Sequence, residues 1–138
     1  MQKIRDLMTS SPIMLEARTS LSEAARRMRE EDIGDVLVLR DGVFRGIVTD
    51  RDIAIRCVAE GRDPDQTSLG DICTQDVVTI EPDADTTKAK RLMAESAVRR
   101  LPVVEGKRPI GIISLGDLAI QNDPASVLAD ISSAPANT

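Results

Sequence analysis

The chain has 138 residues, 41% hydrophobic and 30% charged, which provides for a real core under a soluble surface. Its formal net charge of -5 argues against a dedicated nucleic-acid binder, because phosphate contact is driven by Lys and Arg. There is no His, Tyr or Trp, and Phe44 is the only aromatic, so Ser-His-Asp and Cys-His nucleophiles and base-stacking platforms are excluded; a bound purine would have to lie against aliphatic side chains.

In chain order, Met1 to Asp6 lacks the apolar stretch of a signal peptide, and no apolar run approaches the roughly 18 residues of a membrane span. A cytoplasmic location is expected. Ile4 to Met8 reads as a short helical turn and Ile13 to Leu15 as a short strand. Ser20, with Glu23 three residues on, is a capping-box pattern, and Leu21, Ala24, Ala25 and Met28 follow at helical spacing. Val36 to Leu39 is an apolar run of strand length, ended by a turn at Asp41-Gly42. Arg45 to Val48 is a third strand that leads into a helix from Asp50. The connector Gly61 to Gln66 is polar and turn-forming. After it the same series returns: a strand at Val77 to Ile80, a helix capped by Asp85, a strand at Leu101 to Val104, a strand at Ile110 to Ile113, and a helix over Leu115 to Gln121. The tail, 122–138, holds one apolar-patterned stretch, Ala125 to Ile131, and a last segment that reads as disordered.

The series returns at a constant offset of 65 residues without a gap: Asp6 falls on Asp71, Ala24 on Ala89, Met28 on Met93, Val38 on Val103, Gly46-Ile47 on Gly111-Ile112, and Asp52 on Asp117. One unit spans 4–56 and the other 69–121, each β-α-β-β-α. The recurring residues are Arg5 to Thr9, Val98 to Val104, and Gly46 to Asp52. Together, twice, in fixed order, they resemble the CBS (cystathionine-β-synthase-type) domain family, and the chain also looks like the small actinobacterial hypoxic-response type. The resemblance implies an α+β fold in which two tandem units pack through their sheets into one module with a pseudo-two-fold axis.

The sharpest constellation is Gly-x-x-[Ser/Thr]-x-x-Asp, present as Gly46, Thr49, Asp52 and as Gly111, Ser114, Asp117. Thr49 and Ser114 sit where a strand ends and a helix begins, a place that favours an anion, and an Asp three residues on can accept hydrogen bonds from a ribose diol. The same spacing is also a plain helix cap, and the two roles can coexist. In CBS pairs the cleft holding one unit's Asp is walled by the other unit. Carried over, the resemblance gives the Asp52 cleft Thr49 and Ile47, with Val78 and Val98 as a purine wall. It gives the Asp117 cleft Ser114 and Ile112, with Ile13 and Ile33 as the wall. Ordinary core is the competing reading for each apolar residue. Arg51, Arg99 and Arg100 are the phosphate candidates, against the alternative of solvated surface charge. The Asp52 cleft has Arg99-Arg100 where the other has Gly34-Asp35, and Asp35 would repel phosphate; the Asp52 cleft is favoured because Arg51 and Arg99 lie near it and Asp35 does not reach it by the alignment.

The expected function is regulatory: binding of AMP, ADP, ATP or a related adenosyl compound, with output through an unknown effector protein and a homodimer formed by CBS helices. The apolar stripes for that dimer are Leu21, Ala24 and Met28, or Ile53 and Ala54. The alternative is a ligand-free structural or interaction protein with degenerate clefts. Paired Asp residues without His, metal ligands or a nucleophile make no catalytic site, so no enzyme, no metal and no resident cofactor are expected. Cys57 and Cys73 read as reduced packing residues.

Overall fold

The structure is a computed structural model, and it describes residues 2–75 and 77–122; the tail stretch from Ala125 onward lies outside the described residues. Helices and strands alternate as α1 (Ile4–Leu7), β1 (Thr9–Ser10), β2 (Met14–Glu16), α2 (Leu21–Glu31), β3 (Asp35–Arg40), β4 (Val43–Thr49) and α3 (Asp50–Ile53), which runs on through a π-helical segment, Ala54–Val58. Then follow α4 (Leu69–Ile72), α5 (Thr86–Ser96), β5 (Arg100–Glu105), β6 (Arg108–Ser114) and α6 (Leu115–Asn122). The chain divides into two compact units, Ile13–Val77 and Met1–Pro12 with Val78 onward. Compact unit and sequence repeat are therefore out of phase: the opening turn of each repeat belongs to the unit built by the other.

In the Ile13–Val77 unit the sheet order is β2-β3-β4. β2 lies parallel to β3, with Leu15 opposite Val38, and β3 and β4 form a hairpin over Asp41 and Gly42. Both turn residues have positive φ, 52° and 78°, the pattern a two-residue Asp-Gly hairpin loop needs. Ser20 caps α2 by accepting from the Glu23 N–H, while Glu23 turns to Arg26 and leaves the capping box half made. The apolar stripe of α2, Leu21, Ala24 and Met28, is buried against Val36, Val38 and Val48. Those three residues are therefore core and supply no surface for a dimer. Leu37 points to the opposite face of β3 and is fully buried as well.

The other unit orders its sheet β1-β6-β5 around Ile4, Ile80, Leu101, Val103, Ile113 and Leu118. The strand expected at Val77–Ile80 is reduced to a single parallel bridge, Ile80 to Val103. Two prolines explain the loss. In the first unit the Leu37 N–H donates to the Ile13 carbonyl at 2.9 Å and the Ala17 N–H to the Leu39 carbonyl at 2.7 Å. The equivalent positions are Pro102 and Pro82, which have no N–H to give. Only the two bonds of Ile80 itself remain, to Pro102 and Val104.

Each opening turn docks by the same contacts. Ile4 and Arg5 donate backbone N–H groups to the carbonyls of Ala84 and Pro82, and Leu69 and Gly70 donate to those of Thr19 and Ala17. The segment after each turn then runs against a glycine of a strand. Thr9 and Ser10 pair with Ile112 and Gly111, and Thr74 bridges to Ile47. A Cβ on Gly46 would collide with the Thr74 carbonyl and sit 2.7 Å from the Cys73 sulfur; one on Gly111 would sit 2.8 Å from the Thr9 carbonyl.

Charge selects which repeat each turn meets. Arg5 reaches Asp83 at 3.0 Å and Glu105 at 3.4 Å, and Lys3 reaches Asp83 at 3.7 Å. On its own repeat the same turn would face Arg18 and Arg40, the residues aligned with Asp83 and Glu105. Its counterparts Ser68 and Gly70, which do face that surface, are uncharged. The Arg5 hydrogen bond holds the Asp83 carboxyl below its ordinary value. This pairing thus contributes above the ordinary Asp range and is lost as pH falls through the lowered value.

Gly46→Ala and Gly111→Ala should each destabilise the fold by about 1–3 kcal/mol, the usual cost of overpacking. Urea unfolding followed by circular dichroism measures this, and unchanged midpoints would show that the strands separate freely.

Candidate functional site

β4 ends at Thr49, whose backbone is extended (φ -107°, ψ 165°), and α3 begins at the next residue. The Asp52 N–H donates to Thr49 Oγ1 at 3.1 Å, and the Thr49 N–H donates to Asp52 Oδ2 at 2.9 Å. The second corner repeats these bonds at the same lengths: Asp117 N–H to Ser114 Oγ at 3.1 Å and Ser114 N–H to Asp117 Oδ2 at 2.9 Å. Each helix start is also stitched to a preceding loop, Asp50 N–H to the Gly34 carbonyl and Leu115 N–H to the Arg99 carbonyl. Both copies of the motif are thus reciprocal helix caps.

A cap does not exhaust these groups. Each hydroxyl accepts one bond and keeps its own proton for a further acceptor, and each carboxylate commits one oxygen to the cap. The Asp52 side chain is 20% exposed, and its Oδ1 lies 3.9 Å from Arg56 Nε. Arg56 Nη1 in turn donates to the Ile72 carbonyl at 2.8 Å. Sequence reasoning missed Arg56, although a cation four residues after an acid on a helix is a readable signal. Its counterpart in the other repeat is Gln121, which carries no charge.

The two units share out the predicted residues. Thr49, Asp52, Arg51, Ile47, Ile13 and Ile33 lie in the Ile13–Val77 unit; Ser114, Asp117, Ile112, Val78, Val98, Arg99 and Arg100 lie in the other. Ile13 and Ile33 pack against the core of their unit, as Val78 does in its own. Ile112 is buried, Val98 is exposed at 37%, and Arg51, Arg99 and Arg100 are exposed. The antiparallel register corrects one expectation: Asp35 stands opposite Thr49 itself, in the Asp52 unit, and Arg100 stands opposite Ser114. Opposite residues of a strand pair place their side chains on one face. The acid expected to stay away from the Asp52 corner is its cross-strand neighbour, and the case for favouring that corner loses this support.

A family model for the CBS domain matches residues 4–58 and 69–120. The chain belongs to the CBS domain family. Among proteins of this family, CBS domain-containing protein YhcV of Bacillus subtilis is 37% identical over 136 residues, 96% of each chain. Hypoxic response protein 1 of Mycobacterium tuberculosis is 32% identical over 120 residues, 86% of this chain and 84% of its own. The crystal structure of Hypoxic Response Protein I with two coordinated zinc ions superposes with a TM-score of 0.79 at 32% identity, covering 88% of this chain and 99% of that one. A CBS domain pair solved with 5′-methylthioadenosine and S-adenosyl-L-methionine has a TM-score of 0.80 at 23% identity, over 91% and 98%, a likeness of fold. The α+β architecture with two three-stranded sheets is that of CBS pairs. The zinc ions belong to the structure of Hypoxic Response Protein I; this chain has no His, and among the described residues no three His, Cys, Asp or Glu side chains cluster to hold a metal. Among the same residues no helix is long and apolar enough to cross a membrane.

Cys57 is buried, with its thiol 3.3 Å from the Arg62 carbonyl, and Cys73 is half-buried. Burial pushes the Cys73 thiol pKa up against the pull of Arg40 and Arg56. Iodoacetamide should therefore label Cys73 slowly at pH 7 and faster as pH rises, and Cys57 only on unfolding. Mass spectrometry reads both; fast labelling of Cys73 at neutral pH, or a Cys57–Cys73 bridge, would contradict the packing.

Proposed function

We propose that this CBS pair is a regulatory module, not an enzyme, that binds an adenosine-type nucleotide (AMP, ADP, ATP or a related adenosyl compound) through its two strand-to-helix corners and signals to an effector protein. The observation that carries the reading is the repetition of one polar corner, Thr49 with Asp52 and Ser114 with Asp117, in identical geometry. Each corner keeps a carboxylate oxygen for ribose hydroxyls and a hydroxyl proton for a phosphate or ribose oxygen. Arg51, Arg99 and Arg100 are the phosphate partners. The fold likeness to a pair that holds adenosyl compounds supports the ligand class.

The caps change the choice of test. Asp52→Ala would remove the acceptor of the Thr49 N–H and cost about 0.5–2 kcal/mol of stability besides any ligand contact. Asp52→Asn and Asp117→Asn keep an oxygen for the cap and remove the charge. A charge-assisted bond contributes about 1.5–3 kcal/mol, so calorimetry should show each variant weakening its site roughly ten- to a hundredfold. A deoxyribose analogue should also bind less well. Unchanged affinity in both variants refutes diol recognition. No heat from wild type at millimolar nucleotide favours the alternative, a structural or interaction protein whose corners are caps alone.

We also propose a homodimer, through the helix that follows the first corner. Ile53 packs against the core of its unit, but Ala54, Ile55 at 51% exposure and Val58 at 67% are open. Light scattering should find a dimer that Val58→Asp dissociates; a wild-type monomer at high micromolar concentration refutes it.

A further inference from the structure

We propose that Arg56 couples the Asp52 corner to the opening turn of the second repeat, so that occupancy of this corner, and not of its Ser114 twin, is transmitted to α4 and the edge segment behind it. The inference rests on the nucleotide reading and adds to it a route and an asymmetry. The guanidinium stands between two acceptors, with Nε 3.9 Å from Asp52 Oδ1 and Nη1 2.8 Å from the Ile72 carbonyl. Ile72 ends α4, where carbonyls have no partner within the helix. Directly after it, Cys73 and Thr74 run against Gly46, three residues before Thr49 on β4. Carboxylate, guanidinium, helix end and edge segment therefore form one chain of contacts that returns to the corner it started from.

The backbone carrying Arg56 is the π-helical segment Ala54–Val58, a form found mostly as single turns and often at functional sites. The Arg56 side chain is 47% exposed, so water now screens its attraction to Asp52. A ligand lying on Asp52 would exclude that water. The attraction strengthens as the local dielectric falls, and the guanidinium is drawn toward Oδ1 while its other arm holds Ile72. Ligand and anchored α4 then favour the same arrangement, and linkage makes the effect reciprocal. In the other repeat the aligned residue is Gln121, which carries no charge.

Hydrogen exchange read by mass spectrometry on the full chain, with and without AMP or ATP, tests the proposal alongside calorimetry. In wild type, bound nucleotide should slow exchange several-fold in peptides spanning Leu69–Thr74. Arg56→Gln should abolish that slowing and weaken binding at the Asp52 site by about tenfold. Arg56→Lys should recover part of the affinity but not the slowing, because an ammonium is a point charge without the planar fork that holds two acceptors at once. Nucleotide binding with unchanged exchange in the wild-type Leu69–Thr74 segment overturns the coupling and leaves the nucleotide reading standing. So does slowing that survives in Arg56→Gln. Absence of binding by wild type removes both. Because the wild-type comparison decides by itself, a variant that fails to fold does not rescue the idea.

Discussion

Gly46 and Gly111 have no room for a side chain, and the packing within each unit is built around them. At Gly46 and Gly111 an edge segment lies so close to a strand that any Cβ would strike it. The edge segments come from the opening turns, Met8–Ser10 at one site and Cys73–Thr74 at the other, and each turn comes from the repeat that did not supply the strand. The ion pairs of Lys3 and Arg5 with Asp83 and Glu105 favour that exchange, since docking at home would set four cations together. Exposed pairs of this kind are individually weak, and here the repulsion avoided matters as much as the attraction gained. The backbone bonds of each turn supply the anchoring, while the charges discriminate between two otherwise similar surfaces.

The same strands deliver the polar corners. Three residues beyond each glycine the backbone leaves the sheet, and the Ser/Thr–Asp pair caps the helix that follows. The motif thus has a packing half and a capping half, and both serve the fold before any ligand is considered. That dual use fixes the Asp side chains in place: one oxygen is bound to a backbone N–H, which orients the other. A carboxylate held in this way loses little rotamer freedom when it meets a hydroxyl. Around Asp52 the local charge is mixed, with Asp35 across the strand pair and Arg56 on the helix. Around Asp117 the neighbouring strand begins with Arg100, directly after Arg99. The corners share geometry and differ in electrostatics.

Much of this was legible because the repeat keeps a fixed offset, so that each reading could be checked against its twin. The helix from Leu21, the hairpin at Asp41-Gly42 and the strand-to-helix step at Thr49–Asp50 follow from caps, turn residues and periodicity alone. The strand expected at Val77–Ile80 failed for a local reason that only the ladder shows: Pro82 and Pro102 remove the two donors that would extend it. Leu21, Ala24 and Met28 were open to two readings because an apolar stripe does not say which neighbour covers it, and here it is the unit's own core. Asp35 was misplaced because alignment between repeats carries no information about cross-strand register. The exchange of opening turns, and the link from Arg56 to Ile72, are tertiary facts with no periodic trace in the sequence.

The claim that these caps are also ligand corners is tested most directly by amide chemical shifts. In a titration of nitrogen-15-labelled protein with AMP or ATP, resonances of Gly46–Asp52 and Gly111–Asp117 should move saturably, with the amides of Thr49, Asp52, Ser114 and Asp117 among the largest changes. Spectra in which both corners stay fixed to millimolar nucleotide, or in which only distant residues move, would contradict the account and leave the two corners as helix caps.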